Sequence, residues 1–245
     1  MEREIQRLSW TKMKNMVPSK TDIVLVPIGT MEAHGCAALG TDNFIPTAIA
    51  ESQAERMNAM IAPTLNYGIT KSLYRYPGSM SIKPEHFRAF VSDIIDSLVD
   101  IGFKYIFIVN GHGGNNSALK QACYEKHTEH RVHIAAVHWW ELVDDLTKEH
   151  FGEAGGHAGN NETACVQAID PALADKEEFS KDMGFHMKGG ADIYPVPGTI
   201  LLYVENEGYP TFDIEQSKEY LKKMSDVVGD FMLDILTRWK NANLM

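Results

Sequence analysis

The stretch Val24 to Asp42, VLVPIGTMEAHGCAALGTD, decides the fold, because an apolar run of strand composition leads straight into Glu32, His34 and Asp42. Those side chains offer oxygen and nitrogen ligands for a metal ion. At an extended strand end, residues two apart point the same way, so Glu32 and His34 reach one site while the loop through Gly35 and Gly40 brings Asp42 back. A second apolar run, Tyr105 to Val109, ends in NGHGGNN, and a third segment reads GGHAGNNET from Gly155 to Thr163. Three Gly-rich polar segments, two of them directly following strands, point to one active site assembled from separated pieces.

Outward from these segments, helical and strand patterns alternate, which is the signature of a parallel sheet flanked by helices. Helices are expected over Ile5 to Asn15, Ile45 to Arg56, Pro84 to Asp100, Ser117 to Lys126, Thr163 to Ile169 and Ile214 to Trp239. Strands are expected over Ile23 to Pro27, Met60 to Leu65, Tyr105 to Val109 and Val132 to Val137. Pro84 suits the first turn of its helix and Gly102 its end, while Asp170-Pro171 stops the helix before it. Residues 66–83 read as irregular, punctuated by Tyr76-Pro77-Gly78-Ser79. No repeat or low-complexity linker divides the chain. With 245 residues and 44% hydrophobic content, it is expected to fold as one α/β domain over 1–245.

The formal net charge of −10 argues against a nucleic-acid surface, and no local Lys/Arg cluster offsets it. The start, MEREIQRLSW, carries charges where a signal peptide needs an apolar core, and no apolar run reaches spanning length. Cys36, Cys123 and Cys165 are too few and too scattered for a disulfide framework or a Cys-x-x-Cys zinc site. A reducing cytoplasm fits that usage, so the sequons at Asn115 and Asn161 read as chance.

In open α/β sheets, ligands bind beyond the carboxyl ends of the strands. Glu32, His34, Asp42 and His112 all fall there. One such residue is usually a solvated loop side chain or a cap, but four at two strand ends read as a metal site. Carboxylates with imidazoles suit Zn, Mn or Fe(II), and the surplus of carboxylates over the needs of one ion points to two ions with a bridge. NGHGGNN lacks the Lys-Ser/Thr of a phosphate loop and the spacing of a dinucleotide fingerprint. It reads instead as a tight turn in which Gly111, Gly113 and Gly114 bring backbone close to the site. One of Asn160 and Asn161 is expected to cap the following helix, with Glu162 in its first turn.

Together these segments resemble the creatininase (creatinine amidohydrolase) family. Its hallmarks E-x-H-G, G-T-D, N-G-H-G-G-N and H-A-G-x-x-E-T stand here as Glu32 to Gly35, Gly40 to Asp42, Asn110 to Asn115 and His157 to Thr163. The likeness runs from Leu8-Ser9-Trp10 through Pro77-Gly78-Ser79 to about Asp170. It implies a three-layer α/β/α fold with a mostly parallel sheet and a centre of two divalent ions per chain, with zinc foremost and manganese or iron as alternatives. It implies hydrolysis of a C–N bond in a small cyclic amide or formamide, and a homo-oligomer, a hexamer in the type enzyme. Carried over residue by residue, Glu32, Asp42 and His112 hold one ion, and His34, Asp42 and Glu162 the other, with Asp42 bridging. The family's type enzyme takes its last carboxylate from the turn as N-G-H-x-E, where this chain has Gly114, so Glu162 replaces it. His157 matches the catalytic histidine that moves a proton to the leaving nitrogen.

Two departures bear on substrate. Cys36-Ala37-Ala38-Leu39 replaces a P-H-L-P-like stretch, and Leu73-Tyr74-Arg75-Tyr76 stands where a histidine commonly precedes Pro-Gly-Thr. Both are expected to line the pocket and to argue against creatinine itself. Trp139 or Trp140 is expected to wall the pocket, and Arg75 to be a solvated surface residue. The same site could instead hydrolyse a C–C bond of a cyclic keto-sugar, or the protein could bind metal without turnover.

Overall fold

The computed structural model describes residues 1–242, so the last three positions of the expected domain span lie outside the described residues. A short 3-10 turn and α1 (Trp10–Lys14) precede β1 (Ile23–Ile28), α2 (Thr41–Gln53) and β2 (Met60–Ile61). Next come α3 (Pro84–Ile101), β3 (Tyr105–Asn110), α4 (Asn116–His130) and β4 (His133–His138). The chain continues with α5 (Trp139–Leu142), α6 (Asp144–Phe151), β5 (Gly156–His157) and α7 (Asn160–Ile169). It closes with β6 (Gly184–His186), β7 (Ile200–Leu202) and α8 (Ile214–Ala242).

The central sheet is wholly parallel, in the order β2-β1-β3-β4, with Val24 paired to Ile106 and Ile106 to Ile134. Alternate strand residues feed two cores, as the strand period requires. Ile23, Leu25, Phe107 and Val109 pack with α2, α7 and α8, whereas Val24, Val26, Ile106 and Ile108 pack with α3 and α4. The result is the three-layer α/β/α architecture. A second small sheet, β5-β7-β6, sits beside the main one and carries His157 opposite Leu201 in an antiparallel pair. Among the described residues no helix is long and apolar enough to cross a membrane.

Several expectations shift in detail. The first helix is split, because Ser9 accepts from the Lys12 N–H and caps a new start at Trp10. The second helix begins at Thr41 rather than Ile45, so Asp42 lies in its first turn and not in a loop. The extended run from Met60 is a two-residue strand followed by a lone bridge between Ile28 and Leu65. Both α6 and the β6/β7 pair escape sequence reading: a helix of eight residues and strands of three are too short to show a period.

Trp139 and Trp140 leave β4 in opposite directions. Trp139 is fully buried among α2, α7 and α8 residues, whereas Trp140 reaches the cavity described below. Trp139→Ala should therefore cost about 3–5 kcal/mol of stability. In a chain of this size that lowers the melting temperature on the order of 10 °C. Thermal melts followed by circular dichroism check it, and an unchanged melting temperature would remove Trp139 from the core.

Candidate functional site

The strand order reverses between β1 and β3, and the candidate site lies beyond their carboxyl ends, where such a reversal leaves a crevice. Glu32 and His34 follow β1 on a segment pinned from the side by Ser79, whose Oγ accepts from the Ala33 N–H at 3.0 Å. Asp42 is brought in by a close approach. Its backbone carbonyl lies 2.1 Å from where a Cβ on Gly29 would stand and 2.0 Å from one on Gly111, so only glycine at both strand ends lets α2 start there. His112 enters from the turn after β3. That turn is tied by Asn110, whose Oδ1 accepts from the His112 N–H at 3.2 Å, and by Asn115, whose Oδ1 accepts from the Ile69 N–H at 3.0 Å. Both asparagines are fully buried. Sequence reading missed their roles, and their signal was a pair of amides flanking a glycine turn.

Each histidine of the cluster donates its outward N–H to a backbone carbonyl. His34 Nδ1 donates to Glu32 O, His112 Nε2 to Ile69 O and His157 Nε2 to Ala33 O, each at 2.9 Å. The other nitrogen then faces the carboxylates. His34 Nε2 is 3.0 Å from Asp42 Oδ1 and 3.7 Å from Glu162 Oε2. His112 Nδ1 is 2.9 Å from Asp42 Oδ2 and 3.3 Å from Glu32 Oε1. His157 Nδ1 is 3.5 Å from Glu32 Oε1 and 4.0 Å from Glu162 Oε2, and its ring lies 4.2 Å from that of His34. Asp42 Oδ2 is buried without a hydrogen-bond partner, although His112 Nδ1 lies 2.9 Å from it.

All six side chains named from the sequence thus converge. Their donor atoms form the groups Glu32/Asp42/His112, His34/Asp42/Glu162 and Glu32/His34/His157, each within 4.8 Å. Lone pairs of imidazole and carboxylate that point at one another need a cation between them. Locking the far side of each histidine to a carbonyl is how proteins aim imidazole at a metal. The donor set therefore fits divalent ions. Gly114 supports the same reading: a Cβ there would stand 2.1 Å from Ile69 O and 2.4 Å from His112 Nε2, so the turn has no room for a carboxylate side chain.

Without a cation the site must hold protons. Burial alone would lower the pKa of His34, but the facing carboxylates, Asp42 foremost, push it up to about 10. His112 is likewise pushed up to about 9 against burial, chiefly by Glu32 and Asp42. Burial raises Glu162 to about 7, while the two histidines hold Asp42 well below the usual carboxylate range despite its burial. His157 goes the other way, down to about 4, through burial and the charge of His34.

A cavity of about 280 Å³ opens above the cluster, walled by Leu73, Trp140, Asp144, Asn161, Leu201 and Tyr203. Two expectations need correction here. Cys36 to Leu39 does not line it: Ala38 N–H donates to Leu173 O and Ala37 bridges to Ala174, which turns that stretch away. Neither Asn160 nor Asn161 caps α7. Asn160 donates to Ala154 O and Asn161 accepts from the Gly156 N–H, so both hold the incoming loop, while Glu162 Oε2 takes the Ala158 N–H at 2.6 Å. Arg75 is exposed and lies over the Tyr74 ring, as a solvated arginine should.

Comparison with known proteins agrees with this geometry. Residues 6–202 match the family model Creatininase, described as creatinine amidohydrolase. The chain is 28% identical over 193 residues to the creatinine amidohydrolase of Pseudomonas putida, covering 70% of this chain and 73% of that protein. It is 30% identical over 182 residues to the mycofactocin precursor peptide peptidase of Mycobacterium ulcerans, covering 69% and 67%. It is 27% identical over 255 aligned positions to the 3-dehydro-scyllo-inosose hydrolase of Thermotoga maritima, covering 91% and 80%. A solved mutant creatininase of Zn-Zn type has the same fold, with a TM-score of 0.83 at 23% identity over 96% of this chain and 98% of that one. A manganese form of creatininase superposes at 0.80 and 21% identity over 96% and 98%. The chain belongs to the creatininase family of hydrolases.

The raised histidine values set a pH dependence for the metal-free protein. The folded pKa values of about 10 and about 9 for His34 and His112 lie above the unfolded value near 6.5. Their ion pairs therefore stabilise the fold fully below about pH 6.5, and that contribution is lost as the pH rises toward 10. Melts of chelator-stripped protein should fall across that window, and added Zn²⁺ should restore more stability at pH 9 than at pH 6, because protons compete for the same nitrogens. A melting temperature of stripped protein that is flat from pH 6.5 to 10 would contradict the arrangement.

Proposed function

We propose that the chain works as a single-domain, dinuclear metal-dependent amidohydrolase that cleaves a C–N bond of a small cyclic amide or formamide. The carrying observation is the set of histidine lone pairs aimed at three buried carboxylates, with every outward N–H anchored on a backbone carbonyl. In this reading Glu32, Asp42 and His112 hold one ion, His34, Asp42 and Glu162 hold the other, and Asp42 bridges. Bound there, two divalent ions would supply an activated water and polarise the carbonyl under attack. The chain's residues do the rest. Burial keeps the His157 ring neutral near pH 7, so its inward Nδ1 can accept a proton from the attacking water and return it to the leaving nitrogen. Its Nε2–H stays on Ala33 O, which fixes the ring while the proton moves. One relative, matched over 91% of this chain and named a 3-dehydro-scyllo-inosose hydrolase, favours a second reading in which the same centre cleaves a C–C bond of a cyclic keto-sugar. A panel of cyclic amides, formamides and keto-sugars separates the two.

Metal analysis of protein purified without chelator tests the centre directly, with two divalent ions per chain expected. Asp42→Ala should lose both, because a bridge serves both. Glu162→Gln should lose one selectively, since Gly114 leaves no substitute carboxylate. Full activity with one ion or none would end the dinuclear assignment, and a Glu162→Gln protein that keeps both ions would make Glu162 a helix-start carboxylate only.

His157 is tested apart from the metals. His157→Ala should retain both ions and its melting temperature while turnover falls roughly 10²- to 10⁴-fold, the range of a general acid or base. Loss of an ion together with activity would make His157 a third histidine ligand, in keeping with its place in the Glu32/His34/His157 group.

A further inference from the structure

The wall of the cavity carries its own statement about substrate charge, one that rests on the hydrolase reading of the centre beneath it. Among the described residues no lysine or arginine lines the cavity. Glu32, Asp42 and Glu162 face the histidines and belong to the centre, and two divalent ions would offset their charge. Asp144, in the first turn of α6, is the one further charged side chain of the wall. Its bonded partner is Lys148 at 2.5 Å, one helical turn on, and both side chains are half exposed. Water screens such a pair, and a bound cation can displace the lysine. The other polar groups of the wall are uncharged. Asn161 spends its Oδ1 on the Gly156 N–H at 3.1 Å and leaves its N–H₂ for a ligand, and Tyr203 belongs to the same wall. Trp140, Leu73 and Leu201 supply apolar area for a small ring or chain.

We propose that the substrate of this site carries no acidic group, and that Asp144 selects a cationic or neutral amide over an acid of the same size. An acid would meet neutral donors and one carboxylate, with no guanidinium or ammonium to pair with. A substrate ammonium or amidinium would meet Asp144 at the wall while its carbonyl lies over the centre. The neutral donors of Asn161 and Tyr203 then orient the molecule without sorting it by charge.

The test uses three small hydroxamates as probes on the zinc-loaded chain, one carrying an ammonium, one neutral and one carrying a carboxylate. Calorimetry reads their affinities. The ammonium probe should bind roughly fivefold or more tightly than the carboxylate probe at low salt, with the gap narrowing at 0.5 M NaCl. Asp144→Asn should close that gap, whereas Asp145→Asn, next to it but outside the wall, should preserve it. Equal binding of the charged probes to the wild-type protein, or a gap that survives Asp144→Asn, would overturn the selection by Asp144 and leave the metal centre standing. Failure of all three probes to bind would take down the metal reading first and this inference with it.

Discussion

The backbone carbonyl of Asp42 is wedged between the ends of two parallel strands, and the rest of the site depends on that contact. It occupies the space that Cβ atoms on Gly29 and Gly111 would fill. Those glycines end neighbouring strands of one sheet, with Ile28 paired to Asn110 just before them. Because α2 starts at that point, its first-turn carboxylate lies midway between what β1 delivers, Glu32 and His34, and what β3 delivers, His112. Any side chain at either glycine would push α2 outward and separate Asp42 from one of its two histidines. The constraint is steric before it is electrostatic.

Once the pieces meet, the electrostatics are demanding. Three carboxylates that are almost wholly buried face three imidazoles, and burial of unpaired charge is among the costliest arrangements a fold can hold. Protons on His34 and His112 relieve it in the absence of metal, which is why their pKa values rise against burial. Divalent cations relieve it better, since each replaces a proton with twice the charge. His157 sits at the edge of this balance. It is buried beside His34, and burial together with the His34 charge lowers its pKa where those of His34 and His112 rise.

Much of this was legible in the chain because the signals are local. The apolar runs of β1 and β3, the glycines at their ends and the ligand-type side chains directly after them lie within short windows, and the six site residues read from those windows converge. The start of α2 was misplaced because Thr41, Asp42 and Asn43 look like a polar loop, and their helical state follows from packing against Gly29 and Gly111 that sequence spacing does not display. The capping roles of Asn160 and Asn161 failed for a similar reason: the loop at 154–156 folds back and takes their side chains. Strand β7 could not be foreseen as the partner of the His157 segment, because only two residue pairs join them across a long separation and leave no period to read.

The division between centre and wall follows from the topology. The centre takes Glu32, His34, Asp42 and His112 from the ends of β1 and β3 and the start of α2, beside the two cores, and His157 and Glu162 from β5 and α7. The wall is drawn from the irregular stretch around Leu73, from the short helices that carry Trp140 and Asp144, and from the end of β7 with Tyr203. None of those wall residues belongs to a strand of the central sheet. A fold arranged this way can keep one hydrolytic centre fixed while its wall is rebuilt for a different small molecule. The charge of the wall, rather than the chemistry of the centre, then decides which substrate enters.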